Sequence, residues 1–384
     1  MKLKLVILTE IISPYRIPVF NALAQRNDVE LHVIFLAETD STQREWNICK
    51  TEIHFSYQVL PSWRRRYGKQ NILLNRGLST ALEEASPNVI LCGGYNYLAS
   101  WQAQAWAHKH EVPFLAWVES TAIDQRGNHK LIESLKRKFI RGCQGFVVPG
   151  KSSAEYLRSF NIAPDKILFA PNAVDIDFFA MQSANAQSNA AMHRRRLQLP
   201  DRYFLYVGRM VREKGIFDLL HAYGSLPESV RNEVGIVFVG NGPADSELQE
   251  RAAKMRLSNV KFAGFAQKEE LAYYYGLADA FILPTHTDPW GLVVNEAMSC
   301  GLPVIVTHAA GCTADLVEDK RNGLCVPPND PVPLALALEA VARSVEMRAT
   351  MGQRSREIIA GYSPENCADG IADAALLCGV PCYA

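Results

Sequence analysis

The sequence predicts an α/β protein with two doubly wound parallel sheets. Three observations carry this. Short apolar runs alternate with helical stretches through the first half. A second such series begins near Tyr203. A polar stretch rich in Ala, Asn, Gln and Ser, residues 183–196, separates the two.

In the first half, strands are expected at residues 3–8, 30–36, 89–92, 113–118, 145–148 and 166–169, with helices such as 19–25, 98–109 and 152–159 between them. Strands covered on both faces read as continuous apolar runs, as these do. The second series places strands at 203–207, 235–239, 260–262, 280–283 and 303–306. The expected organisation is an N-terminal domain over residues 1–172, a linker over 173–200 and a C-terminal domain over 201–365. The final stretch, about 366–384, is rich in Ala, Ile, Leu and Cys with few charges, which suits packing better than a free tail.

With 384 residues the chain is long enough for more than one core. Lys and Arg number 40, as do Asp and Glu, so the formal net charge is zero, which gives little non-specific attraction for nucleic acid. The charge is nevertheless uneven. Residues 1–172 hold 21 Lys/Arg against 15 Asp/Glu, or +6, and the remainder is −6. The nine cysteines show no C-x-x-C pair or zinc spacing. The first apolar run is too short for a secretory signal, so a cytoplasmic protein with reduced thiols is expected. No stretch approaches the roughly 20 apolar residues of a membrane span.

Two segments carry candidate chemistry. Ala280-Phe281-Ile282-Leu283-Pro284 reads as a buried strand, and His286-Thr287-Asp288-Pro289-Trp290-Gly291 leads from it into a helix that holds Glu296. The carboxyl end of such a strand is where open α/β sheets bind ligands. A helix N-terminus there offers N–H groups to a phosphate or a polar sugar, and carboxylates accept hydrogen bonds from hydroxyls. Taken alone, Asp288 is equally an Asp favoured by the helix dipole, and Glu296 a solvated surface group. The second segment is Leu205-Tyr206-Val207-Gly208-Arg209-Met210-Val211-Arg212-Glu213-Lys214-Gly215. Arg209 as a fork and Lys214 as a point charge, around one strand-to-helix turn, would neutralise a diphosphate. Together the two segments suit a sugar joined to a nucleoside diphosphate.

These residues resemble the retaining nucleotide-sugar glycosyltransferases of the GT-B fold, in the large family four. The resemblance spans nearly the whole chain and is strongest from about Tyr203 to Pro328. It rests on the Gly-Arg…Lys-Gly turn, Val239-Gly240-Asn241-Gly242-Pro243, Asn259-Val260-Lys261-Phe262-Ala263-Gly264-Phe265, the acid-x7-acid element of Asp288 and Glu296, and the Gly301-Leu302-Pro303-Val304 strand, in that order. It implies two Rossmann-like lobes facing across a cleft, with the C-terminal helix returning to the first. It implies that Arg209 and Lys214 hold the donor diphosphate, that Gly208 and Asn241 belong to the donor-binding site and that Glu296 holds the ribose diol. Asp288, with the amides of Gly291, Leu292 and Val293, would hold the transferred sugar and diphosphate, and the chain near Phe262 would approach the base. Asp288 stands where the family usually has Glu; being one methylene shorter, it bears on which sugar is held.

The first strand-to-helix turn, Thr9 to Pro18, lacks G-x-G-x-x-G and so carries no dinucleotide signature. Its Tyr15 and Arg16 are candidates to face the acceptor or diphosphate, or else to pack and to be solvated. Gly93-Gly94-Tyr95, after the strand at 89–92, permits close backbone approach to a ligand or simply a tight turn. Glu119 lies where many relatives carry a His. It is a candidate to orient an acceptor hydroxyl or act as its base, or else to form a surface ion pair. Asp175-Ile176-Asp177 has the D-x-D form of a metal site but resembles the family's interdomain stretch, where the Asp caps or turns the chain; no metal is expected. Two basic stretches, 63–69 and 129–141, stand out. On a helix, the second interleaves apolar stripes with cations. That suits anionic lipid at the inner face of a membrane, or an ordinary amphipathic helix on the sheet.

The reading is therefore an enzyme that moves a sugar from a UDP- or GDP-sugar co-substrate to a sugar, lipid-linked or small-molecule hydroxyl acceptor, without metal or other cofactor. The alternatives are a sugar-nucleotide hydrolase or epimerase on the same scaffold, and an inactive sugar-nucleotide-binding partner subunit.

Overall fold

The computed structural model describes residues 2–40, 46, 48–67, 70–122 and 130–379, with the backbone alone for 66–67, 70–71 and 130–132. Gly68, Lys69 and His129 of the two basic stretches, and the last five residues, lie outside this range.

The chain forms two compact units, one of residues 1–173 with 364–384 and the other of residues 174–363. The first unit's sheet has the strands β1 (Leu3–Thr9), β2 (Val29–Phe35), β3 (Ser56–Val59), β6 (Val89–Cys92), β7 (Phe114–Trp117), β8 (Gly145–Val148) and β9 (Ile167–Phe169). Their order is β3-β2-β1-β6-β7-β8-β9, and every neighbour pairs in parallel. A separate antiparallel ribbon joins β4 (Ser62–Tyr67) to β5 (Gln70–Asn75). One apolar core contains Val6, Leu73, Phe114 and Phe139, and another contains Leu5, Phe20, Leu91 and Ile371. The second core includes the helix Pro364–Gly379, which packs on the helix Ile17–Ala24 and on β1, β6, β8 and β9.

The second unit's sheet has the strands β10 (Tyr203–Val207), β11 (Gly235–Val239), β12 (Val260–Gly264), β13 (Ala280–Leu283), β14 (Val304–Thr307) and β15 (Gly323–Val326), in the order β12-β11-β10-β13-β14-β15, again all parallel. Each unit is thus a Rossmann-like doubly wound sheet. In the second, the winding reverses between β10 and β13, and a crevice opens at such a reversal beyond the carboxyl ends of the strands.

The stretch 173–200, expected to link the domains, is instead structured within the second unit as the helices Ile176–Ser188 and Ala190–Leu197. Asp175 caps the first, its side chain accepting from the N–H of Phe178 at 3.0 Å and pairing with Lys268 at 3.2 Å. A cap at this position satisfies an otherwise orphan helix N–H. Ala, Gln, Met and Arg then propagate a helix well, although their low hydrophobicity makes the stretch look like a linker.

Candidate functional site

The loops after β10 and β13 meet at the winding reversal of the second unit. Lys214, after β10, donates to Asp288 Oδ2, after β13, at 2.5 Å. Their side chains are 23% and 15% exposed, so the pair is reachable yet partly desolvated. Backbone contacts hold the two loops as one piece. The N–H of His286 donates to Glu213 O at 2.9 Å, and Thr285 Oγ1 donates to the same carbonyl at 3.1 Å. His286 Nε2 lies 2.5 Å from Asp218 Oδ2, a brace the sequence reading missed because neither residue belongs to an acid–acid or basic motif.

Gly215 makes this approach possible. Its φ is +68°, and a Cβ there would lie 1.9 Å from Pro284 O. Gly215→Ala therefore combines left-handed strain with a backbone collision. We expect a loss of about 2–4 kcal/mol, and a melting midpoint lower by roughly 5–15 °C. A variant that melts like the wild type would mean the two loops are not locked together.

The loops after β11 and β12 join the same edge. Met210 N–H donates to Asn241 O at 2.9 Å, and Gly240 N–H donates to Gly264 O at 2.7 Å. Gly208 and Asn241 therefore sit on neighbouring loops beside exposed Arg209. Phe262 is different. Its ring stacks on Phe238 at 5.4 Å and packs against the unit's core, so at this edge β12 offers its terminal backbone rather than that ring.

Gly291, at φ +96°, begins the helix Leu292–Ser299. The first-turn amides of such a helix have no intrahelical acceptor. Asp288 Oδ1 accepts from the N–H of Trp290 at 3.3 Å, so the carboxylate is held against this turn as well as against Lys214. Glu296 lies one helix turn further in and is 1% exposed. It accepts from Tyr275 OH at 2.7 Å. Burial raises its pKa to about 7; the Tyr275 bond and the Lys268 charge oppose that rise only in part. Glu296 is therefore not the solvated surface group that its helix position alone would allow. Tyr275 is 21 residues away in sequence and came with no motif.

The first unit's candidates follow the carboxyl ends of β1, β6 and β7. Arg16 pairs with Glu119, and its guanidinium lies 3.9 Å from the Trp117 ring centroid. Tyr15 meets Trp46 edge-on at 5.7 Å. Gly94 has φ +104°, which a left-handed turn requires. Tyr95 packs beside Phe139 at 5.9 Å, and its carbonyl accepts from Trp101 Nε1, so much of this residue serves the core. A cluster the sequence did not reveal lies nearby in the chain: Arg64 spans Asp40 at 2.5 Å and Glu10 at 3.3 Å. Among the described residues, no group of three or more His, Cys, Asp or Glu is arranged to hold a metal ion. No described helix is long and apolar enough to cross a membrane.

Comparison with known proteins bears on the family and the fold. The family model described as "Glycosyl transferases group 1" matches residues 189–358, and that described as "Glycosyltransferase Family 4" matches residues 20–178. An uncharacterized glycosyltransferase of Methanocaldococcus jannaschii is 24% identical over 294 residues, 73% of each chain. O-antigen chain mannosyltransferase C of Escherichia coli is 25% identical over 62% of this chain and 61% of its own. A D-inositol 3-phosphate glycosyltransferase of Frankia alni is 30% identical over 55% of this chain and 53% of its own. The chain thus spans from about half to about three quarters of these relatives' lengths. Among solved structures, Anabaena HepE in complex with UDP aligns with a TM-score of 0.73 at 16% identity, covering 97% of this chain and 99% of that one. Sucrose-phosphate synthase from Thermosynechococcus elongatus aligns at 0.74 and 19%, covering 96% and 98%. The fold is GT-B. The chain belongs to the family-four, group 1 glycosyltransferases.

Proposed function

We propose that this glycosyltransferase uses a nucleoside-diphosphate sugar, UDP- or GDP-linked, and transfers the sugar with retention to a hydroxyl acceptor in glycan, glycolipid or natural-product assembly. The observation that carries the donor assignment is the Lys214–Asp288 pair at the β10/β13 reversal, next to a helix N-terminus. Lys214 and Arg209 suit the diphosphate, Asp288 and the first-turn amides the sugar and phosphate, and Glu296 the ribose diol. Asn241 and the end of β12 border the nucleoside. In the first unit, the Arg16–Glu119 pair with Tyr15 and the Gly93-Gly94 turn suits an acceptor hydroxyl.

In the proposed reaction, the bond from the sugar's anomeric carbon to the phosphate oxygen breaks, and a bond to the acceptor oxygen forms on the same face. The acceptor proton passes to the leaving phosphate oxygen. No protein nucleophile is then required, which accords with Asp288 being held by Lys214 and the Trp290 amide. Cations and helix amides supply the charge stabilisation that a metal would supply elsewhere. Turnover is therefore expected to persist in EDTA; loss in chelator with recovery on Mg²⁺ or Mn²⁺ would count against that expectation.

Thermal-shift titration with UDP, GDP and ADP tests the donor assignment, since a ligand that binds the native state raises its midpoint. One of the three should do so. Lys214→Ala or Arg209→Ala should weaken that ligand about tenfold to a hundredfold, as loss of a charge-assisted contact worth roughly 1.5–3 kcal/mol. If no nucleoside diphosphate shifts the midpoint, or both variants bind like the wild type, the assignment fails. Proton NMR of the anomeric centre in the product decides retention. Acceptor-independent release of free sugar would favour a hydrolase.

A further inference from the structure

The β4–β5 ribbon of the first unit stands outside the parallel sheet, and its two faces differ. Residues directly opposite on an antiparallel pair share a face, and alternate residues point the same way. Trp63 is opposite Leu74, and Arg65 is opposite Ile72, so these four share one face. Leu73 and Arg64 take the other. Leu73 is 3% exposed in the core, and Arg64 is tied to Asp40 and Glu10. The inner face thus anchors the ribbon, while the outer one leaves Trp63 51%, Leu74 43% and Ile72 40% exposed beside exposed Arg65.

Such a face is unusual for a ribbon held in place by buried residues. Large apolar groups on a solvent-facing ribbon promote association unless they have a use. The ribbon's own sequence is basic: residues 60–77 contain five Lys or Arg and no Asp or Glu. The helix Lys130–Arg141 continues the same character, exposing Leu135 at 47% with exposed Arg137 and Lys138. Both β5 and this helix pack on the helix Leu98–Lys109.

We propose that the outer face of the β4–β5 ribbon docks on an anionic lipid surface, with Trp63, Ile72 and Leu74 entering the headgroup boundary and Arg65 meeting lipid phosphates. The size of the face favours lipid over a protein partner. Two strands about 4.8 Å apart, each contributing two outward residues about 7 Å apart, offer a few hundred Å² at most. A stable protein interface needs roughly 800 Å² per partner. Interfacial lipid binding has no such threshold: apolar insertion and attraction to anionic headgroups simply add, and Trp is favoured at that boundary. This proposal is independent of the donor assignment, since none of these residues belongs to it.

The test is sedimentation of the full chain with vesicles of phosphatidylcholine alone and of phosphatidylcholine mixed with phosphatidylglycerol, at low and high salt. The wild type should pellet with the mixed vesicles and be released by salt. Arg65→Glu should weaken binding by roughly fivefold or more, about 1 kcal/mol for each cation at the surface. The triple variant Trp63→Ser, Ile72→Ser, Leu74→Ser should weaken it at least as much with an unchanged melting midpoint. If the triple variant does not fold, quenching by brominated lipid replaces it: quenching should fall on Trp63→Phe if Trp63 enters the bilayer. Wild type that ignores anionic vesicles overturns the proposal and leaves the face to a protein partner. Equal binding by the variants, or equal quenching in Trp63→Phe, overturns it too.

Discussion

Deleting residues 364–384 is expected to unfold the first unit while the second keeps its own transition. The helix Pro364–Gly379 is distant in sequence from that unit but buries Cys367, Ala368, Ile371, Ala372, Ala374 and Ala375, each at most 2% exposed. Small residues let it lie close. A Cβ on Gly370 would come 2.3 Å from Phe169 O, and one on Gly379 would come 2.8 Å from Leu3. At roughly 25 cal/mol per Å² of apolar surface, exposing Ile371, the five smaller side chains and the sheet face beneath them costs on the order of 5–10 kcal/mol. That matches the whole stability of a typical domain, about 5–15 kcal/mol. Calorimetry of the truncated protein should lose one of two transitions, with the loss of helix and sheet signal at 37 °C. An unchanged profile would show that the helix is dispensable. Gly370→Leu is a milder form of the same test, because it lifts the helix without removing it.

Glu296→Gln and Asp288→Asn should separate the functions of two carboxylates that look alike in sequence. Glu296 has its pKa raised from 4.5 to about 7 by burial. The folded state therefore holds a proton that the unfolded state has released. The stability this gives is fully present below pH 4.5 and is lost as the pH rises through 7, by up to about 3 kcal/mol. Glu296→Gln cannot ionise, so between pH 5 and 8 its midpoint should gain on that of the wild type by several degrees. Under the proposed role, ribose hydroxyls donate to the ionised form. Nucleoside-diphosphate affinity of the wild type should then rise with pH relative to Glu296→Gln across the same interval, and at pH 8 the variant should bind every donor of that nucleotide more weakly, by roughly 1–3 kcal/mol.

Asp288→Asn should act elsewhere. It removes the partner of Lys214, leaving that cation for the diphosphate, so bare nucleoside diphosphate should bind no worse than to the wild type. The sugar contact is lost, and kcat should fall more than that affinity does. Asp288→Glu should change preference among sugars with nucleoside-diphosphate affinity within about twofold, or roughly 0.4 kcal/mol. Identical profiles for Asp288→Asn and Glu296→Gln would falsify the division of roles.

The parallel strands were legible because burial on both faces leaves an uninterrupted apolar signature, as in Phe281-Ile282-Leu283. The ribbon was not. Trp63-Arg64-Arg65 has a strand's alternation of environment but not of polarity, since Arg64 is drawn inward by two carboxylates. β15 escaped as well: Leu324 and Cys325 are only half-buried and Gly323 opens it, so four residues carry little pattern. At the candidate site, what could be read was what one strand-to-helix turn brings together, namely Arg209 with Lys214 and Asp288 with Glu296. Partners from distant segments were not legible. Tyr275 reaches Glu296 across a helix-to-helix contact, and Arg16 reaches Glu119 over 103 residues.

The return of the last helix to the first unit has a consequence for synthesis. Residues 1–173 are made before residues 364–379, yet part of one face of their sheet, beside the helix Ile17–Ala24, stays uncovered until the last helix emerges. At about 5–20 residues per second, that wait lasts roughly 10–40 s. The second unit, contiguous in sequence, can close during it. The half of the chain that is translated first is therefore completed last, and its nascent form offers Leu5, Leu91 and Val147 as an open apolar surface to chaperones or to other chains in the meantime.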